Sequence, residues 1–461
     1  MTTIAATILR LLAWIQGKPD DEKRTAKAKK HIKASFIVKG LGILISFLLV
    51  PLTIGYVDKT IYGVWMTLFS VVSWFRFFDI GLDNGLRNKF AEALAKDNLL
   101  LARTYLSTTY AIMGLMALLL IGGYLALEPW LDWQRILNVP LGYEEDVRLA
   151  ARVTWALFCA NFGLKLINTV VVADQRPAVV GIINLVSSIL TLVVVFILTQ
   201  TTEGSLLRLA WVLSGVPLLV LMAATLWLFG RKYRKVLPSL QLVDFRHAKD
   251  LISLGSQFFV IQIIGIVLFT TDNLIISHLF SPQAVTPYAI THKYFGIVTR
   301  IFGIVALPFW SAYTDAYTQG DWAWIKRTNK GLRKVWRSMA LGSVVMLIAS
   351  PLVYRIWVPE VEGNIYWLLS VLMWAYVLIL SYGSIYVMFV NGIGKVRLQV
   401  VSSLIGGVLN IPLSIFFATT LGLGTAGIIL ATIVCMLYGA VLGPIQFNKI
   451  INGRATGIWN K

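Results

Sequence analysis

Apolar stretches of 18 or more residues recur along the whole of this 461-residue chain, and that recurrence leaves few folds open. At 1.5 Å of rise per residue, such a stretch makes a helix about as long as a bilayer's hydrocarbon core is thick, roughly 30 Å. Twelve spans are predicted, over 34–56, 61–83, 105–127, 149–171, 177–200, 205–230, 251–279, 284–313, 336–358, 365–390, 397–418 and 422–447. The apolar runs are continuous and do not alternate with polar residues. Helices are therefore expected in place of barrel strands, each satisfying its own backbone hydrogen bonds in lipid. Composition agrees: AVILMFWYC residues make up 57% of the chain, charged residues only 14%, and mean hydropathy is +0.74, outside the range of soluble domains. The expected fold class is an all-α integral membrane protein of about twelve transmembrane helices.

Lys and Arg divide unevenly between the two sets of loops that these spans create. Thirty of the 41 fall in the N-terminal tail, the alternate loops and the C-terminal tail, against three (Lys59, Arg135 and Arg148) on the opposite side. Cytoplasmic loops retain positive charge, so both termini are expected in the cytoplasm. The same asymmetry accounts for the net charge of +19 without any nucleic-acid partner, since no nucleic-acid-binding motif accompanies it. The opening MTTIAATILRLLAWIQ lacks a basic start and a small-residue cleavage site, and reads as an interfacial amphipathic helix with Arg10 and Trp14 near the headgroups. Cys159 and Cys435 fall in separate spans, which points to neither a disulfide framework nor a metal site.

A weak internal repeat suggests the organisation. INLVSSIL (183–190) and QVVSSLIG (399–406) each open a span after a short basic loop, so the fifth and eleventh spans correspond. The longest basic loop then separates two groups of six. The expected layout is a basic tail with the interfacial helix (1–33), an N-lobe (34–230), a cytoplasmic linker (231–250), a C-lobe (251–448) and a second tail (449–461). Two similar six-helix lobes related by a pseudo-twofold axis are a common plan for secondary transporters.

Charged residues inside apolar spans carry the functional signal, because each costs at least about 2.5–3.5 kcal/mol near mid-bilayer. On the eighth span Lys293, Gly296, Arg300 and Gly303 form a narrow helical stripe, two cations beside two residues without side chains, which a phosphate could approach closely. The competing reading pairs these cations with Asp272 on the seventh span. On the fourth span Asn161, Lys165 and Asn168 share a face, with interhelical hydrogen bonding the plainer explanation of the asparagines. Lys39 lies near enough to the inner surface to snorkel. In RFFDIGLDNGLRNKFAEALAKDN (76–98), Arg76, Asp79 and Asp83 at i, i+3 and i+7 share one helix face, so Arg76 can pair with Asp79 as an inner gate, or the charges can simply cap a helix end. Gly81 and Gly85 permit a turn or close packing there. Leu86, Phe90 and Leu94 then space an interfacial elbow helix. Tyr288, His292, Trp310 and Tyr313 could stack on sugars, although aromatic residues at this depth are usually anchors. Among the deep charges, the cations Lys39, Arg76, Lys165, Lys293 and Arg300 outnumber Asp79 and Asp272. That balance suits an anionic ligand where water is scarce.

FFDIGLDNGLRNKFAEALAKDN resembles the D-[IL]-G-L-x-N-[GA]-L-R-[NR]-[KR] pattern of the polysaccharide-transport branch of the multidrug, oligosaccharidyl-lipid and polysaccharide (MOP) exporter superfamily, the Wzx-type O-antigen flippases. Chain length, the span count, the basic central loop and NGIGK after the tenth span agree with that branch. The resemblance implies a ligand, a polyprenyl-pyrophosphate-linked oligosaccharide of O-antigen, lipopolysaccharide or another surface polysaccharide, moved from the inner to the outer leaflet by two rocking lobes. It implies membrane lipids and polysaccharide polymerase or assembly proteins as partners, no cofactor and no covalent chemistry, and leaves coupling to an H+ or Na+ gradient open. The same resemblance implies a bacterial inner membrane. Three other functions stand beside it, one of them a transport-inactive scaffold for polymer assembly. A drug or cation antiporter of the same superfamily would share the bundle but should favour acidic residues in its cavity. A membrane glycosyltransferase or acyltransferase would need a catalytic carboxylate or histidine outside the bundle, and the longest outer loop, EPWLDWQRILNVPLGYEEDVR, is short for a catalytic domain.

Overall fold

The computed structural model describes residues 22–79, 81–139, 142–174, 176–248, 251, 271–306, 309–318 and 320–460. The predicted interfacial helix at the N-terminus lies outside the described residues, as does most of the seventh span. Among the described residues the fold is all-α with no strand, and nine helices are long and apolar enough to cross a membrane. Their outward faces are apolar, with Leu118 68% and Leu226 68% exposed, as expected where lipid replaces water as solvent. The chain divides into two compact units, one over residues 37–266 and 281–286, the other over the chain up to residue 36, 267–280 and 287–461.

The first two predicted spans run together in Glu22–Trp74, broken at Asp58, which has φ 73° and ψ 170°. We call the two parts α1 (residues 22–57) and α2 (residues 59–74). The Asp58 carboxylate accepts hydrogen bonds from the Thr60 and Ile61 backbone N–H groups at 2.5 and 3.0 Å, capping α2. The second span was expected to continue as helix to residue 83. It stops at Trp74 and tightens into a 3-10 turn over Phe75–Asp79, and a new helix, α3, runs Leu82–Ala95. The reason is local. Asp79 Oδ1 accepts the Gly81 backbone N–H at 2.9 Å, and Gly81 adopts the left-handed conformation at φ 73° that few other residues tolerate. Gly85 serves a different purpose, since a Cβ there would stand 2.1 Å from the Leu251 carbonyl oxygen. The elbow helix exists as its spacing predicts, with Leu86 and Phe90 fully buried.

The rest of this unit comprises α4 (Leu99–Leu127), α5 (Glu144–Leu164), α6 (Leu166–Ala173), α7 (Pro177–Thr201) and α8 (Leu206–Gly230). The basic loop that follows is docked along α4. Arg103 Nε donates to the Leu237 carbonyl at 2.6 Å, the Ser239 N–H donates to Ser107 Oγ at 3.0 Å, and the Asp244 N–H donates to Thr108 Oγ1 at 3.0 Å. At its start Lys232 and Tyr233 both donate to the Asp174 carboxylate, the tyrosine at 2.8 Å.

The other unit begins at α9 (Asp272–Leu279) and holds most of α10 (Pro282–Ala306), followed by α11 (Phe309–Thr318), α12 (Trp322–Trp357), α13 (Trp367–Gly392), α14 (Arg397–Thr420) and α15 (Thr425–Ile451). Here α13 and α15 approach backbone to backbone, the place of a Cβ on Gly383 being 3.1 Å from the Gly439 carbonyl carbon. Small residues at such a crossing allow the dispersion contacts that associate helices in lipid.

Candidate functional site

In the first unit, the sequence-predicted charges meet around Lys165. A single non-helical residue separates α5 from α6, and it is Lys165 itself, whose N–H still reaches the Asn161 carbonyl at 2.9 Å. Its ammonium lies 2.9 Å from Asp79 Oδ2 and 3.0 Å from Asp83 Oδ2. Thr169 Oγ1 donates to Asp83 Oδ1 at 3.4 Å, and the Phe162 ring centroid is 5.1 Å from the ammonium. Asp79 is buried, so its two oxygens are committed, one to the Gly81 N–H and one to Lys165. The side chains of Arg76 and Lys39 lie outside the described residues. The expected Arg76–Asp79 pair therefore lies outside what the structure describes; among the described residues a lysine 86 positions beyond Asp79 bridges Asp79 and Asp83.

Lys165 also borders a cavity of about 420 Å3, lined by Phe69, Ser73, Thr154, Phe158, Asn161 and Ser214 among others. The face predicted on the fourth span does line a cavity, through Asn161 and Lys165. The cluster at its edge carries one positive and two negative charges, however, so Lys165 is not a free cation. Rings and hydroxyl groups give the walls an amphipathic character, and the Thr154 hydroxyl has no hydrogen-bond partner among the described residues. Sequence reasoning missed Thr154 and Thr169, because isolated threonines in an apolar helix commonly bond their own backbone and carry no signal.

In the second unit, α10 presents the cationic stripe. Lys293 is half-buried and Arg300 exposed, and neither forms an ion pair or hydrogen bond among the described residues. A Cβ placed on Gly296 or on Gly303 would meet nothing within 4 Å. The stripe therefore borders open space on the side where its glycines lie. Asp272, expected in a gate or as counter-ion to these cations, makes no ion pair among the described residues. It is buried, its Oδ2 accepts a hydrogen bond from the Tyr288 hydroxyl, and its Oδ1 has no hydrogen-bond partner among the described residues. Tyr288 and Tyr313 are buried core residues, with Tyr313 packed edge-on against Trp324 and Phe389, so neither offers a face to a sugar. His292 is exposed, with its ring 6.0 Å from that of Tyr376. Among the described residues no group of His, Cys, Asp or Glu could hold a metal ion, and the buried Cys159 and Cys435 are free thiols.

No family model matches the chain, and no curated protein matches it by sequence. Solved structures do match in shape. An inward-facing multidrug-resistance MATE-family transporter of the MOP superfamily superposes with a TM-score of 0.70 at 14% identity, over 92% of this chain and 96% of that one. An outward-facing conformation of such a transporter gives 0.65 at 14% identity, over 92% and 96%. A MATE protein in complex with MaD3S gives 0.65 at 15% identity, over 92% and 97%. The chain has the two-lobed, all-α fold of the MATE transporters of the MOP superfamily.

Proposed function

We propose that this protein is an exporter that moves a polyprenyl-pyrophosphate-linked oligosaccharide across the inner membrane by alternating access. The observation that carries the reading is the α10 stripe, where Lys293 and Arg300 have no partner among the described residues and Gly296 and Gly303 leave open space beside them. Two unpaired cations in an apolar helix are costly, and an anionic ligand offsets that cost. A pyrophosphate fits both groups. The lysine supplies a compact charge, while the guanidinium can hold two oxygens of one phosphate at once. Absence of side chains at the two glycines lets phosphate oxygens approach the helix backbone.

In this reading the prenyl chain stays in lipid while the pyrophosphate is held on the α10 stripe. Translocation then needs two conformations and no bond making. Purified protein in liposomes should move a fluorescent polyprenyl-pyrophosphate oligosaccharide between leaflets, and a preparation that leaves it in the loaded leaflet would refute the assignment.

A drug or cation antiporter is the second reading, favoured by one observation. The buried Asp272 carboxylate has an unbonded Oδ1, the kind of group that binds a proton or an organic cation. Efflux of a lipophilic dye cation by the same liposomes, with no effect on the pyrophosphate lipid, would select it.

A further inference from the structure

The helix α12 carries two different surfaces on one face. In its first half Lys326, Lys330, Arg333 and Arg337 follow one another at steps of four, three and four residues, with Arg327 and Lys334 flanking them. All six are exposed, while Ile325, Thr328, Leu332 and Val335 are buried on the opposite side. The helix contains no Asp or Glu, and none of the six forms an ion pair among the described residues. One turn beyond Arg337 the same face becomes apolar, with Leu341 74%, Val345 67% and Ile348 71% exposed.

A continuous helix whose outer face changes from cationic to apolar within one turn marks a boundary between two solvents. Hydrocarbon begins near Leu341. At 1.5 Å per residue, Arg337, Lys334, Arg333 and Lys330 stand about 6 to 16 Å along the axis from that point. A headgroup layer is about 5–8 Å thick, and long basic side chains reach several ångströms back toward it. We propose that Lys330, Arg333, Lys334 and Arg337 form a binding site for the headgroups of anionic phospholipids. A soluble polyanion would satisfy the cations and leave the apolar continuation without a partner. A phospholipid satisfies both, its phosphate on the two arginine forks and its acyl chains along Leu341, Val345 and Ile348. The proposal does not depend on which substrate the protein carries.

Native mass spectrometry of the full chain, released from mixed phosphatidylglycerol and phosphatidylcholine micelles, tests it. The wild-type protein should retain phosphatidylglycerol in preference. Each basic residue close to an anionic surface multiplies binding about fivefold, so Arg333→Gln with Arg337→Gln should lower that retention about 25-fold and leave phosphatidylcholine unchanged. Lys330→Gln with Lys334→Gln should do the same, which covers the case in which either pair folds poorly. A control removes equal charge away from α12, at Lys89 and Lys96, which share Glu92 as ion-pair partner, and should leave retention as in the wild type. Retention of the wild-type ratio by either folded double variant, an equal loss in the control, or displacement of the lipid by millimolar inorganic phosphate would overturn the proposal.

Discussion

Replacing Lys165 by Met leaves Asp79 and Asp83 facing each other without the cation that now bridges them at 2.9 and 3.0 Å. The side chains of Lys165, Asp79 and Asp83 are only 23%, 10% and 30% exposed, so solvent screens the loss weakly. Removing one partner of a buried pair costs about 3–5 kcal/mol, and here two like charges are abandoned together. For a unit of this size, about 3 kcal/mol corresponds to a fall in Tm of roughly 6–12 °C. Thermal unfolding in detergent, followed by intrinsic tryptophan fluorescence, reads the change. The triple variant Lys165→Met, Asp79→Asn, Asp83→Asn removes the abandoned charges and should recover more than half of the loss. Asp83→Asn alone should cost less than Asp79→Asn, because Asp83 is the more exposed and Asp79 also holds the Gly81 turn. A Lys165→Met protein as stable as the wild type, or a triple variant no better than that single one, would refute the reasoning.

Three further outcomes follow from separate features. Asp58→Ala should cost about 1–2 kcal/mol through the lost cap of α2, and Asp58→Gly less, because glycine accepts φ 73° without strain; Tm ranks the two. Although burial raises it, hydrogen bonds from Lys232 and Tyr233 hold the Asp174 carboxyl below its ordinary value. A depressed carboxylate stabilises the docked loop above the unfolded pKa of about 3.9 and stops doing so as pH falls through the folded value, so a spin label at Leu240 should stay immobile at pH 7 and loosen only in acid below about 3.9. Reporter fusions after Lys461 and within 231–250 should report cytoplasm and a fusion within 128–148 the outside, following the Lys and Arg distribution; a reversed central loop would overturn the orientation.

What could be read in advance was what depends on neighbours along the chain. Membrane character follows from run length, and the elbow helix from glycines that permit a turn and the spacing of Leu86, Phe90 and Leu94. The α10 stripe was legible because helical periodicity alone puts Lys293, Gly296, Arg300 and Gly303 together. What could not be read depends on residues far apart. Lys165 and its carboxylate partners are 86 and 82 positions apart, and only the packing of α3 against α6 joins them. The end of α2 was missed because FRFFD has no helix breaker, and its tightening rests on one side-chain-to-backbone hydrogen bond from Gly81 to Asp79. The docked central loop was read as a free linker, since Ser107 and Thr108 look like ordinary hydroxyl residues in an apolar helix until Ser239 and Asp244 are laid against them. The expected Asp272 counter-ion failed on a competing partner, the Tyr288 hydroxyl sixteen residues away.

The most direct test of the central claim measures leaflet-to-leaflet movement of a polyprenyl-pyrophosphate oligosaccharide in liposomes containing Arg300→Gln protein. Arg300 is exposed on the stripe and has no partner among the described residues, so its loss should leave Tm within about 2 °C of the wild type, a surface substitution being worth about 0.5 kcal/mol or less. Transport should nonetheless fall at least tenfold, with Arg300→Lys retaining part of it because the charge survives and the two-oxygen fork does not. Wild-type transport by the folded Arg300→Gln protein would contradict the claim that α10 receives the pyrophosphate.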